Sequence, residues 1–463
     1  MPWIPLPVIG GEYKNVDEKA LSNLGASLFD GYLDETNALN MRPGLRAFLD
    51  LATGRPIDGF YWWATQGVLV VVSDGHVFKV TDKQGTVVDV TDDELQKNVR
   101  PTFAEVMGNL YMANGGKIVK LTPTGDTTYL ADVDAPTTVS HVATLDQYLI
   151  ANEIGTGRLH YSRPAEPDNW DGEWVTAESN PDRVFSVLTF VGEIYLAGPQ
   201  SHEVWVNDGA TPFVPARNAF TGRGWAAPYS VAWVDDTIFG LDEDRQVIRL
   251  QGRSPLVLSK GLNRYLQEFA NVADARADSF VFAGRPFYML SFPTEGKTLV
   301  LDTSVGDPQG WAEWSRYNTA TGTHEQWIGN CVTYCDTWGL TLVGDRRTGK
   351  IWIMDSDTFL DGDEKIRTYR RSGHIDHGSL GRKRSQALRI RLKTRVPGGT
   401  LSVRWRDNGS ETWSNPRLIS LGSAKDQVCI RQINRLGSYY TRQWEFAISD
   451  APALIVGMEE LVE

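Results

Sequence analysis

Cysteine is scarce in this chain of 463 residues, which has only Cys331, Cys335 and Cys429. Cys331 and Cys335 fall in one run that reads as a strand. At ~3.3 Å per residue that places them ~13 Å apart, too far for a disulfide. An odd, sparse set argues for free thiols and synthesis in a reducing compartment. Long apolar runs are also lacking. The longest purely apolar stretch lies near Val68–Val72, far short of a bilayer span, so no membrane-spanning segment is expected. The opening Met1-Pro-Trp-Ile-Pro-Leu-Pro-Val has no basic stretch followed by an apolar one, so no signal peptide is expected. There is no P-loop, no G-x-G-x-x-G after a strand and no G-x-S-x-G elbow. Positive charge is outnumbered, with 46 Lys and Arg against 58 Asp and Glu, for a net −12. That excludes nucleic-acid binding by bulk attraction.

What the chain does have is glycine and tryptophan. Its 44 Gly suit a turn-rich all-β chain, and its 16 Trp suit strands and packing between sheets. A repeat stands out between Val184 and Ser259. Phe185-Ser-Val-Leu-Thr-Phe-Val-Gly-Glu-Ile-Tyr-Leu, a turn at Gly198-Pro199 and His202–Val206 form one copy. Tyr229-Ser-Val-Ala-Trp-Val-Asp-Asp-Thr-Ile-Phe-Gly, the turn Asp242-Glu-Asp and Gln246–Leu250 form the next. Each reads as short strands joined by tight turns, with one apolar face and open edges. Such a unit cannot bury its face alone and must stack on neighbours.

The same theme starts at Asp58–Ala64, Val68–Ser73, His76–Thr81 and Thr86–Val90. It continues to a last unit read as Ile328–Cys335, Leu340–Gly344, Lys350–Met354 and Ile366–Arg371. Arg163–Glu173 reads as a loop, and Leu262–Ala275 has helical spacing. Units begin roughly every 35–55 residues, the range of propeller blades. The expected fold is all-β: a β-propeller of about six or seven irregular blades with a small C-terminal antiparallel β domain. The expected boundaries are an extended segment over 1–55, a propeller over 56–375 and a separate domain over 376–463. The Pro-Gly segment near Leu45 is a candidate for the strand that closes the ring.

Charge is unevenly placed. From Ile366 to Arg435 there are 16 Lys or Arg against four Asp or Glu, leaving −24 on the rest. Beyond a Gly-rich basic linker at Gly373–Arg384, Leu388, Ile390 and Leu392 alternate with Arg389, Arg391 and Lys393. This predicts a half-buried sheet with a cationic outer face. The candidate interface is Arg382, Lys383, Arg384, Arg389, Arg391, Lys393 and Arg395. Docking of a partner protein or a second copy ranks above a merely solvated face, and DNA phosphates rank third.

Other motifs read as structural. Asp407-Asn-Gly-Ser-Glu-Thr-Trp413 looks like a sialidase-type Asp box with one extra residue. That motif is a turn whose carboxylate accepts backbone N–H groups, and it is not catalytic. No spacing singles out the carboxylate pair of a glycosidase, and His374-x-x-His377 lacks further metal ligands beside it. No catalytic residue, cofactor or metal is assigned.

Three features in order resemble a known family. They are Arg42-Pro-Gly-Leu-Arg before the first blade, Ala177-Glu-Ser-Asn-Pro-Asp182 before a central one, and the closing run. In that run Asp407-Asn-Gly precedes Leu436-Gly-Ser-Tyr-Tyr and Trp444-Glu-Phe-Ala-Ile-Ser-Asp. Together they resemble the tail hub, or nozzle, of short-tailed bacteriophages, also called the packaged-DNA stabilisation protein. The resemblance implies a non-enzymatic virion tail protein, assembled in the host bacterial cytoplasm. It implies a homo-oligomeric ring, a hexamer, below the portal and its adaptor protein. Such a ring carries a tail needle, fibres or tailspikes, and packaged double-stranded DNA passes through its lumen without sequence-specific binding. The competing expectation is a glycan-binding or glycan-hydrolysing propeller with clustered carboxylates and aromatics on its axis. A cellular scaffold is the third.

Overall fold

The computed structural model describes residues 3–6, 11–15, 26–34, 38–177, 182–209, 212–251, 254–307, 309–424, 427–449 and 453–463. The chain builds successive four-stranded antiparallel sheets. The first comprises Ile57–Trp63, Val68–Ser73, His76–Val80 and Val87–Asp89. Four more follow in sequence order, starting at Thr102, Val142, Ser186 and Ala232. A sixth begins at Arg276 and a seventh at Gly329, each merging into a larger sheet. The sheets are arranged as blades, each packed on the next through its own apolar cluster. Trp63, Val70 and Val72 of the first blade meet Leu110 and Met112 of the second. The pattern continues blade by blade. It returns to the start where Cys331, Leu342 and Ile351 of the seventh meet Ile57, Leu69 and Val71 of the first. The ring of seven is therefore closed, and alternation along the inner strands supplies apolar side chains to both neighbouring blades.

The closing strand comes from the N-terminal segment. Gly44–Asp50 pairs antiparallel with Lys350–Asp355, from Lys350↔Asp50 to Asp355↔Gly44. This is the fourth strand of the seventh blade, and Leu360–Asp361 pairs in parallel beyond it. The fourth strand expected there, Ile366–Arg371, is displaced. Thr368–Arg371 instead lies between Ser27–Phe29 and Arg442–Ile448. Gly44 sits in a tight place, since a Cβ there would lie 2.4 Å from the Thr358 carbonyl oxygen.

The C-terminal strands form a β-sandwich, but neither expected boundary marks a separate unit. One sheet contains Gly31–Leu33, Leu39–Met41, Ala453–Val462, Lys383–Thr394 and Val428–Tyr439, with Trp3–Pro5 paired to Ala453–Val462. The other continues from the sixth blade. Phe29 pairs in parallel with Glu313, and Thr368–Arg371, Arg442–Ile448, Thr400–Asp407 and Arg417–Ser420 follow. The N-terminal strands are thus part of the terminal sandwich. One core joins sandwich residues Leu388, Ile390, Val403 and Trp444 to propeller residues Phe287, Trp314, Trp327 and Trp352. The reason is burial: both sheets need cover, and the sixth and seventh blades supply it.

Three local expectations are also corrected. Arg163–Glu173 is not a loop, because Glu166–Thr176 forms the outer strand of the third blade over a bulged register. Within Leu262–Ala275, helix is confined to Asn263–Gln267. The Gly373–Arg384 linker is anchored, with Ile375 bridged to Arg442 and His374 buried. Of Ala177–Asp182, residues 178–181 lie outside the described ones. Asp182 itself accepts the Gln200 and Ser201 N–H groups at 2.8 and 3.1 Å.

Candidate interaction surface

The strand Lys383–Thr394 lies between Val428–Tyr439 and Ala453–Val462 at the centre of its sheet. Its apolar side chains Leu388, Ile390 and Leu392 are fully buried, and Arg389, Arg391 and Lys393 point outward. A register shift between Ser385 and Ala387 rephases the alternation, so Arg384 is exposed as well. Arg382 is exposed in the preceding turn. Two of the seven expected residues do not belong to this face. Lys383 is buried, and its Nζ donates to the carbonyls of Gly381 and Tyr440 at 2.8 and 3.0 Å. Those oxygens replace its hydration, so its charge anchors the linker. Arg395 is half-buried and donates to Asn40 Oδ1 at 3.2 Å.

The structure adds residues that sequence reasoning missed. Opposite Arg391 and Lys393 stand Ile430 and Val428, which are 57% and 59% exposed. On the other side Arg391 faces Gly457 and Arg389 faces Glu459. The missing side chain at Gly457 leaves a groove of about 400 Å³ between Leu6, Arg389, Arg391 and Ile430. The Arg389 guanidinium lies 3.9 Å from the Trp3 ring centroid, which fixes its orientation. The alternation of Val428-Cys-Ile-Arg-Gln-Ile was the available signal.

The opposite sheet carries a second cationic cluster. The guanidiniums of Arg371, Arg404 and Arg406 lie 5.0, 4.9 and 4.9 Å from the Trp413 ring centroid. Glu445 accepts from Arg371 and Arg404 at 3.0 and 2.7 Å, which holds its carboxyl below the ordinary range despite burial. The Asp407 turn differs from the expected one. Asp407 takes Arg442 through two oxygens at 2.7 and 2.9 Å, and Asn408 Oδ1 is the acceptor for the Tyr440 and Thr441 N–H groups.

Buried polar groups elsewhere serve as fasteners. Arg42 is fully buried and donates to Asp30 at 2.7 Å, to Asp361 at 2.9 and 2.6 Å and to the Ser315 carbonyl at 2.9 Å. Burial raises the Asp361 carboxyl, whereas at Asp30 the same effect is outweighed by Arg42 and His324. Ser315 Oγ bonds both Asp30 Oδ2 and His324 Nδ1, at 2.5 and 2.6 Å. The buried serine hydroxyl thus bridges the carboxylate and the ring nitrogen, unlike a nucleophilic triad, where the ring lies between serine and carboxylate. His377 is likewise an anchor, with its Nε2 3.0 Å from both Tyr439 OH and Glu460 Oε2. Among the described residues no group of three metal-ligating side chains occurs.

The axial ends of the inner strands carry side chains that meet one another. Arg100 donates to Asp278 through both terminal nitrogens, at 2.6 and 3.1 Å. Arg276 reaches Asn330 at 3.3 Å, and His141 stacks on Tyr229 at 4.9 Å. Burial pushes Asp58 up to about 6 and His141 down to about 4. Asp278 on the axis is thus paired with Arg100.

The fold is a seven-bladed β-propeller, and the exposed part of the sandwich is a cationic, partly apolar face. Over residues 5–359, more than half its length, the chain matches the family model described as bacteriophage P22 Gp10, beta-propeller. It belongs to that family of phage DNA-stabilisation proteins. No curated protein matches it. Among solved structures it is similar to the extracellular domain of the one-component system BT4673 from B. thetaiotaomicron. That match has a TM-score of 0.45 and 10% identity, covering 92% of this chain and 62% of that one. It is also similar to the Neurospora crassa Pan2 WD40 domain, at TM-score 0.43 and 10% identity, covering 71% and 98%. YCF48 from Cyanidioschyzon merolae has TM-score 0.42 and 11% identity, covering 68% and 100%.

Proposed function

We propose that this chain is the ring-forming tail hub, or nozzle, of a short-tailed phage, with a structural and non-enzymatic role. The ring, a hexamer, sits below the portal and adaptor in the virion tail. It retains the packaged DNA and conducts it at ejection, and it carries needle, fibre or tailspike proteins. The observation that carries this reading is the shared core of propeller and sandwich in a member of the phage stabilisation family. A propeller welded to its terminal domain is a stiff wedge, and stiff wedges with unlike contact faces close into rings. The acidic excess of the propeller faces the lumen and repels DNA, so the genome slides rather than sticks. The cationic sheet around Arg391 meets an acidic neighbour. An axis crossed by the Arg100–Asp278 pair argues against a glycan site there. Imaging of intact virions tests the proposal: a ring of this chain at the tail is expected. A cationic lumen, or the chain's absence from the tail, would count against it.

A further inference from the structure

The hairpin tip between the first two strands of the fourth blade is Val191-Gly192. Val191 has φ 49° and is 81% exposed. A β-branched residue is strained in the left-handed region, which glycine adopts freely and asparagine at a smaller cost. An exposed valine there serves neither the turn nor the core, which points to a contact outside the chain. Beside it, Phe190 meets Trp233 of the fifth blade edge-on at 5.4 Å, and Trp233 is 45% exposed. The two blades leave a groove of about 270 Å³ floored by Phe190, Tyr195 and Ile238 and rimmed by Glu193 and Asp236. Asp235 sits in the adjoining turn.

This groove is the electrostatic complement of the sandwich face. One mixes aliphatic side chains with carboxylates. The other sets Val428 and Ile430 beside Arg391 and Lys393, above a groove of about 400 Å³. We propose that the Arg391–Lys393 face of one copy docks on the groove between blades four and five of a second copy. Self-pairing is disfavoured for both surfaces, because it would bring Arg391 and Lys393, or Glu193 and Asp236, against their own copies across a two-fold axis. Unlike surfaces must then pair head to tail, which leaves one of each open until the ring closes. The inference rests on the ring reading and adds which surfaces meet.

Charge exchange in the full-length chain tests it, with sedimentation velocity as the readout and circular dichroism as the check on folding. Arg391→Glu with Lys393→Glu is expected to weaken self-association by about tenfold or more, as is Glu193→Lys with Asp236→Lys. Mixing the two variants restores assembly, because each reversed surface then meets its complement. Rings that persist in both substituted chains would overturn the docking and leave the ring reading standing. A wild-type chain that forms no rings on its own or on virion tails would remove both. If the face substitutions spare assembly but abolish binding of a random-sequence DNA duplex, the face is a DNA contact and the proposal fails.

Discussion

The propeller and the terminal sandwich are both antiparallel β, yet they are fastened differently. Blade joins rest mainly on apolar contacts: Val70 and Val72 against Leu110 and Met112, or Tyr288 and Leu290 against Phe239 and Leu241. The joins between the chain's ends and the propeller add buried charge. Arg42 ties Asp30 to Asp361, and Lys14 lies 3.0 and 2.9 Å from Glu12 and Glu313. Burial alone would lower the Lys14 ammonium, but the two carboxylates hold it well above its usual range. Apolar packing between similar sheets tolerates small slips. A guanidinium forked between two fixed carboxylates accepts one geometry, so the buried pairs set how the sandwich sits on the ring.

The largest expected effect is at Arg42. Arg42→Met strands two buried carboxylates and is expected to cost about 3–5 kcal/mol, measured by urea unfolding. A loss below about 1 kcal/mol would mean that the charged joins are no more demanding than the blade joins. Next is Gly44→Ala, whose Cβ meets the Thr358 and Leu360 carbonyls at 2.4 and 2.6 Å. It is expected to cost about 1–3 kcal/mol through strain in the closing strand. A neutral result would show that this strand can shift.

The axis offers a smaller, signed test. Asp58 binds its proton more tightly folded, at about 6 against an ordinary 3.8, so its contribution falls as pH rises between those values. His141 is the reverse. Its folded value of about 4 against 6.5 makes its contribution rise with pH over that window. Asp58→Asn and His141→Gln are therefore expected to tilt the stability–pH curve in opposite directions. Parallel shifts would refute the burial of one of them. The smallest effect on folding is expected from Lys393→Glu alone, within about 0.5 kcal/mol, because the side chain is exposed. A larger loss would make this face part of the sandwich core.

Much of this was legible along the chain. The strand pairs of the first two blades and the outward Arg389, Arg391 and Lys393 follow from alternation. Other assignments failed where a local pattern had two possible partners. Thr368–Arg371 has the composition of a blade strand and still joins the sandwich, because Gly44–Asp50 already fills the edge it would take. Lys383 looks like its basic neighbours, but the bulge at Ser385–Ala387 rephases the alternation and leaves it buried. The Val428 and Ile430 side of the candidate face was missed because its strand reads weakly by itself.

Alternation, turn residues and the spacing of repeats determined by themselves that this is a bladed β protein with one cationic strand, since strand period and turn geometry are local properties of the backbone. Tertiary structure decided that the two ends of the chain fold together, that Arg42 is a buried clasp and that Ile430 stands beside Arg391. Those depend on contacts between residues from tens to hundreds of positions apart, such as Arg391 with Ile430 and Arg42 with Asp361, which no local pattern encodes.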